Sequence, residues 1–290
     1  ASRCVARRRW PGRLQPNNGS MRRRTCATAG NWHGTRPQPR PLLHAAPQLP
    51  PGSSVIAMVM NDGELELFFN MMCSLRKHAL VSLARRMVVF TSTPALLPLL
   101  RAFGCIAIFH ADAFPRVSAH SSFEYLDPIF IEMMWFKSFS VYALLSLGYD
   151  VLFQDVDIVY FRDPFLHFQQ VQQQRGLRGL RPVDAFLSDD GQRSLRYAPF
   201  YANSGYYFLL RSEKTVYFAY SVLISFDLLH ITGSHQNIFT LRLLEALDLY
   251  YLDTHFLPMK LFPSGVKFSH DRPYMRAIQD HHEHPFMFHM

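Results

Sequence analysis

From residue 53 onward, short unbroken apolar runs alternate with stretches whose apolar residues recur every three or four positions. Ser54–Met60 is such a run, as expected for a strand covered on both faces. Asn61 and Asp62 can cap the following helix, in which Leu65, Phe68, Met72 and Leu75 repeat at helical spacing. Met87–Thr91 reads as a second strand. Thr93 as N-cap, Pro94 in the first turn and Gly104 past the end frame a helix over 94–103, and Cys105–Phe109 reads as a third strand.

Residues 111–128 read as a surface loop, followed by a long helix over roughly 129–147 that Gly148 closes. Val151–Gln154 is then a central buried strand. The Gln- and Arg-rich segment 167–181 predicts a mobile loop, Val183–Leu187 a strand ending in Ser188-Asp189-Asp190-Gly191, and Gly205–Arg211 another strand. Ser212 caps a helix to about 228, and Ser234 caps one starting at His235-Gln236. Segments near 249–252 and 285–289 read as edge strands. Such alternation, without repeats or a long hydrophilic break, predicts one α/β domain with helices on both faces of a sheet.

The net charge of +8 does not belong to that domain. Residues 1–50 hold ten Arg, no Lys and no acid, which leaves 20 basic residues facing 22 acids in the rest. We read 1–52 as a disordered basic tail and 53–290 as the domain. A nucleic-acid-binding arm, a targeting or stem segment, and sequence upstream of the true start compete for the tail. Met21 is the first Met. Nucleic acid is not an expected partner, because no basic, aromatic groove follows. Cys73 and Cys105 fall in apolar settings where buried free thiols are expected. No apolar run approaches the ~20 residues of a membrane span, so an anchor is expected outside this chain.

The chemistry concentrates in Gly148-Tyr-Asp-Val-Leu-Phe-Gln-Asp-Val-Asp-Ile-Val-Tyr-Phe-Arg-Asp-Pro164. Asp155 and Asp157 follow a buried strand, where alternation sends both side chains to one side. Two hard oxygen ligands at the carboxyl end of an α/β strand suit Mg²⁺ or Mn²⁺ and a phosphorylated ligand. The competing reading is an acidic turn between buried strands.

This run resembles the metal-binding signature of the nucleotide-diphospho-sugar transferase family. More narrowly, it is similar to rhamnogalacturonan-II xylosyltransferases and extensin arabinosyltransferases. Other landmarks fall in the matching order: Asn61 with Asn70-Met-Met-Cys-Ser74, Lys137, Ala202-Asn-Ser-Gly-Tyr-Tyr207, His235-Gln236, Leu261-Phe-Pro-Ser-Gly265 and Pro285-Phe-Met-Phe-His289.

The resemblance implies a glycosyltransferase A-type mixed sheet, a Mn²⁺ (or Mg²⁺) cofactor and a nucleoside-diphosphate sugar, with UDP the expected nucleotide. It also implies a glycan or glycoprotein acceptor, retention of configuration and a Golgi or other secretory lumen. Asp157 would ligate the metal, Asp155 would reach it through water or hold the donor ribose, and His289 would be the third protein ligand. Members of the family continue beyond that His, so the domain is expected to be truncated here.

The remaining candidates each have a plain alternative. Asn61 and Asn203 are donor-binding candidates, the first also a helix cap and the second also a turn residue. Lys137 can pair with donor phosphate or face solvent, and we read solvent. Asp189 and Asp190 can face the sugar or merely end a strand, and are the carboxylates available for a double displacement. Gln236 can lie by the anomeric carbon or cap a helix. His281, His282 and His284 read as surface loop. Two other functions remain open at this stage: a haloacid-dehalogenase-like phosphatase, in which the first Asp is a nucleophile, and a catalytically inactive glycosyltransferase-fold binding protein.

Overall fold

Strand β1 (Ser54–Met60) is buried from Val55 on, as its unbroken apolar run requires. A 3-10 turn (Asp62–Glu64), α1 (Leu65–Lys77), β2 (Met87–Thr91), α2 (Leu97–Ala102) and β3 (Ile106–Ile108) follow. The chain continues with α3 (Pro128–Ser146), β4 (Asp150–Gln154), β5 (Ile158–Tyr160), α4 (Pro164–Leu177), β6 (Ala185–Asp189) and β7 (Ala202–Leu209). It ends with α5 (Glu213–Ile224), α6 (Leu229–Thr232), α7 (His235–Leu249), β8 (Thr254–Phe256), α8 (Gly265–His270), α9 (Arg272–Gln279) and β9 (Met287–His289). This computed structural model describes residues 49–50, 52–109, 127–191 and 200–290, all within the compact unit Pro39–Met290. The basic segment up to residue 48 and residues 111–126 of the loop expected over 111–128 lie outside the described residues, while Asp127 caps α3 and Pro128 opens it.

Seven strands form one sheet in the order β3-β2-β1-β4-β7-β6-β8, and β5 pairs with β9 separately. Within the large sheet β1 is parallel to β2 and β4, β2 to β3, and β6 to β8, while β7 is antiparallel to both neighbours. With β7 alone reversed, its amino end shares an edge with the carboxyl ends of the other strands. Ligands of open α/β sheets bind at that edge.

Alternation along the strands divides the core into two layers. Val55, Ala57 and Val59 of β1 and Val151 and Phe153 of β4 pack with α3, α5 and α7. Ile56, Met58 and Met60, with Leu152, pack with α1 and α4. Asp155 continues the parity of Val151 and Phe153, so its side chain emerges on the α3 side. Gly148 ends the turn before β4 at φ +98°, a left-handed conformation that glycine adopts without a Cβ penalty.

Several elements depart from the sequence reading. The segment read as a mobile loop is helix α4: Asp163 caps it by accepting from the Phe165 N–H at 2.9 Å, Pro164 occupies its first turn, and Phe165, Phe168 and Val171 are buried. The expected helix over 94–103 opens as a 3-10 turn before α2. Ala202-Asn-Ser belongs to β7 rather than to a preceding turn. The late edge strands are Thr254–Phe256 and Met287–His289, and the second pairs with β5 outside the main sheet. Cys105 is buried as expected, but Cys73 is exposed on the outer face of α1. Helix α3 is long and apolar enough to cross a membrane by length and composition, yet 61% of Ile129–Ser146 is buried within the fold.

Candidate active site

Asp155 leaves β4 with its N–H donating to the Gly205 carbonyl of β7 at 2.8 Å, so the strand pair orients the residue. Asp157 lies two residues on, and its carbonyl accepts from the Met290 N–H at 3.1 Å. The short β5–β9 ladder then sets His289 opposite Ile158, beside Asp157. His289 Nε2 is 3.3 Å from Asp157 Oδ1 and 3.9 Å from Asp155 Oδ2. One ligand atom from each of Asp155, Asp157 and His289 can be chosen so that all lie within 4.8 Å of one another.

In an octahedral complex at about 2.1 Å, adjacent ligands are roughly 3 Å apart and opposite ones roughly 4 Å. The observed spacing fits a single ion after a small contraction. Two carboxylates suit a hard divalent cation, and the imidazole beside them favours a transition ion such as Mn²⁺ over Mg²⁺. Burial lowers the His289 pKa, but the hydrogen bond and charge of Asp157 and the charge of Asp155 outweigh it, and the net shift is upward.

The turn after β5 holds the histidine-bearing segment. Arg162 Nε donates to the Pro285 carbonyl at 3.3 Å, its terminal nitrogen donates to the His284 carbonyl, and its guanidinium lies 3.8 Å from the Phe286 ring centroid. The backbone N–H groups of Phe161 and Arg162 both donate to the Phe286 carbonyl, at 2.9 and 3.0 Å. Ser74 of α1 accepts from the Tyr160 N–H at 3.0 Å, which ties β5 to the body of the domain. The buried Gln154 accepts from the Tyr160 hydroxyl.

Lys137 does not face solvent, contrary to the sequence reading. It is buried on α3, with Nζ 2.7 Å from Asp155 Oδ1 and 4.8 Å from the Phe153 ring centroid. Helix α3 is apolar on nearly every side, so it offers no polar face to which a lysine could turn. Asp155 is about one-third exposed, which tempers the strength of the pair.

A second polar group lies on the same edge. Asn203 Nδ2 donates to Asp190 Oδ1 at 3.1 Å, and Asn203 Oδ1 accepts from the Gly205 N–H at 2.7 Å. Gln236 Oε1 accepts from the Ser204 N–H at 3.1 Å, and Gln236 also hydrogen-bonds Asp190. Burial raises the Asp190 pKa, opposed by the hydrogen bonds from Gln236 and Asn203 and by the charge of His289. Asp189 instead accepts from the Gly191 N–H at 2.9 Å, closing a turn in which Gly191 sits at φ +83°. Asn61 is buried and forms a capping box: its side chain accepts from the Gly63 N–H at 3.0 Å and its N–H donates to Glu64 at 2.9 Å.

Three participants were given no site role in the sequence reading, although His235 and Gly205 lie within its landmarks. Burial, chiefly, together with the charges of Asp155 and Asp157, raises the Glu64 pKa to about 7, against the Asn61 N–H and Lys137. His235 lies buried between Ser138 of α3 (Nε2 to Oγ, 2.9 Å) and Ser204 of β7 (Nδ1 to Oγ, 3.2 Å). Burial and the nearby Lys137 push its pKa down to about 3, so it is a neutral ring packed behind the charged groups. Gly205 supplies backbone contacts to both clusters. The Asn-x-x-Glu spacing at 61–64 was a readable cap signal, whereas nothing local marks His235 as buried.

An Asp-x-Asp pair and a histidine thus gather at the carboxyl edge of a mixed α/β sheet. Comparison with known proteins supplies the class. The chain belongs to the nucleotide-diphospho-sugar transferase family, whose model matches residues 83–290. With that membership the phosphatase reading falls. The seven-stranded mixed sheet with helices on both faces is the α/β architecture expected from the sequence.

A curated relative, the UDP-galactose:fucoside alpha-3-galactosyltransferase of Dictyostelium discoideum, is 31% identical over 83 residues. That match spans 28% of this chain and 12% of the relative. Similar solved structures include mouse xyloside xylosyltransferase 1 in its apo form, with TM-score 0.45, 13% identity, and coverage of 82% of this chain and 97% of that one. The WbbM bifunctional glycosyltransferase has TM-score 0.49 and 13% identity, over 84% of this chain and 46% of that one. Glucosyl-3-phosphoglycerate synthase from Mycobacterium tuberculosis, solved with Mn²⁺, UDP and phosphoglyceric acid, has TM-score 0.36 and 16% identity, over 78% and 74%. At these scores the structural likenesses add nothing to the family assignment.

Proposed function

We propose that this domain is a metal-dependent glycosyltransferase that moves a sugar from a UDP donor to a glycan or glycoprotein acceptor in the secretory lumen, with retention. The observation that carries the reading is the convergence of Asp155, Asp157 and His289 beside Asp190, Asn203 and Gln236 on one sheet edge. The UDP donor is supported by the name of the Dictyostelium relative.

Asp157 and His289 would hold Mn²⁺ directly, and Asp155 would hold it directly, through water, or by way of the donor ribose. When bound, the ion supplies positive charge that offsets the charge growing on the leaving diphosphate. Lys137 restrains Asp155 and adds a second, buried positive charge on the same side. Asn61 shapes the backbone at the end of β1, where the nucleoside would lie. On the sugar side, Asp190 accepts hydrogen bonds from hydroxyls while Asn203 and Gln236 hold its carboxylate in place. Gln236 sits by the anomeric carbon. Asp189 serves the turn that delivers Asp190. In the front-face route that we favour, the leaving phosphate helps deprotonate the acceptor, and no protein nucleophile is required.

The test is a panel of nucleotide sugars incubated with the chain and Mn²⁺, following donor hydrolysis and transfer. Metal-dependent turnover of a UDP sugar, abolished by Asp157→Ala, supports the proposal. Donor binding without turnover leaves a catalytically inactive binding protein.

A further inference from the structure

The floor between the two polar clusters is a glycine. Gly205 lies in the interior of β7, where glycine weakens a strand and where close approach of another group is its usual reason. A Cβ built there would lie 2.3 Å from Asp155 Oδ2, 2.4 Å from the His289 Cε1 atom and 3.0 Å from Asn203 Oδ1. Atoms in van der Waals contact need well over 3 Å, so the space above Gly205 is already occupied by two of the three candidate metal ligands.

Every one of these neighbours is the end of a side chain. The backbone of Gly205 is extended and outside the left-handed region, so alanine is conformationally acceptable at this position. The backbone also works on both sides: its carbonyl accepts from the Asp155 N–H and its N–H donates to Asn203. Asp155 cannot swing away freely, since its other oxygen is held by the buried Lys137 at 2.7 Å.

We infer that Gly205 is a positioning residue, whose missing side chain lets Asp155 and His289 converge on one divalent cation and sets their spacing from Asn203 and Asp190. A methyl group there drives the Asp155 carboxylate and the His289 ring apart without preventing the strand from forming. The inference rests on the metal reading of Asp155, Asp157 and His289.

The test is Gly205→Ala, read by Mn²⁺ binding (loss of the free-ion paramagnetic resonance signal) and by thermal unfolding in EDTA, with no donor present. Gly176→Ala, on α4 with no atom within 4 Å of its added Cβ, is the control for a generic glycine replacement. Expected are Mn²⁺ binding by the wild type and the control, and at least tenfold weaker binding by Gly205→Ala at an EDTA melting temperature near the wild type. Wild-type affinity in Gly205→Ala overturns the inference while leaving the metal reading intact. A wild-type chain that binds no Mn²⁺ overturns both. Should Gly205→Ala fail to fold, the same change is made alongside Asp155→Ala and His289→Ala. The double variant Asp155→Ala/His289→Ala is the reference: a triple variant as stable as that reference supports a side-chain clash, and one less stable than it places the strain in the backbone and overturns the inference.

Discussion

Replacing Arg162 with alanine loosens the segment that carries His289 against the turn after β5. Arg162 makes two side-chain hydrogen bonds, to Pro285 and His284, and stacks its guanidinium on Phe286. Hydrogen bonds from a charged donor reach about 1.5–3 kcal/mol when buried, but this side chain is partly exposed, so each is taken at about 0.5–1 kcal/mol. The cation–π contact adds about 0.5–1 kcal/mol. The docked state of the segment then loses roughly 2 kcal/mol, while the β5–β9 ladder and the backbone bonds to Phe286 remain. Apparent metal affinity scales with the docked fraction, so a loss of about 2 kcal/mol weakens binding by about 30-fold at most, and by less where the docked state keeps a surplus of stability. The assay pairs a Mn²⁺ titration with amide hydrogen exchange over residues 287–289. Faster exchange confined to that stretch is expected, with several-fold weaker Mn²⁺ binding and a melting temperature lowered by a few degrees. Unchanged exchange together with unchanged affinity would refute the clamp.

Lys137→Met keeps the apolar stem and removes the charge beside Asp155. It should leave Mn²⁺ affinity equal or tighter, because the acids are no longer partly neutralised, and weaken Mn²⁺-dependent UDP binding about tenfold; calorimetry with each ligand distinguishes this from general damage, which would lower both. Asp190→Asn should cut turnover at least 100-fold while leaving Mn²⁺ and UDP binding within twofold, and a parallel loss of UDP affinity would contradict its place on the sugar side. Glu64 gives a pH dependence. Its carboxyl is raised to about 7, so between about 4.5 and 7 the folded chain holds a proton that the unfolded chain releases. Stability in chelator therefore falls as pH rises through that window, by at most roughly 3 kcal/mol from this group. Urea unfolding across pH should show a flatter slope for Glu64→Gln, and an unaltered slope would exclude Glu64 as its source.

Much of the sheet could be read from residue pattern, because its strands are buried on both faces and their apolar runs are unbroken. Asp155 and Asp157 were visible for a related reason: carboxylates at the end of such a run have few structural uses. Where the pattern misled, a competing force decided. The Gln- and Arg-rich stretch after Pro164 looked like a loop, yet burial of Phe165, Phe168 and Val171 outweighs its polar composition. Lys137 looked solvent-facing because lone lysines usually are, and its partner Asp155 is 18 residues away. His289 could be named from the resemblance alone, since its approach to Asp157 depends on the β5–β9 ladder and the Arg162 clamp. The glycine beneath the acids carried no local signal, because a glycine in a strand has many explanations until its neighbours are known.

The central claim is that a divalent cation held by Asp155, Asp157 and His289 recruits a nucleoside diphosphate. Isothermal titration of UDP into the chain, with Mn²⁺ or with EDTA, tests it most directly. The account predicts binding with Mn²⁺, none in EDTA, and none for Asp157→Ala in either buffer. Equal UDP affinity in Mn²⁺ and EDTA would contradict it.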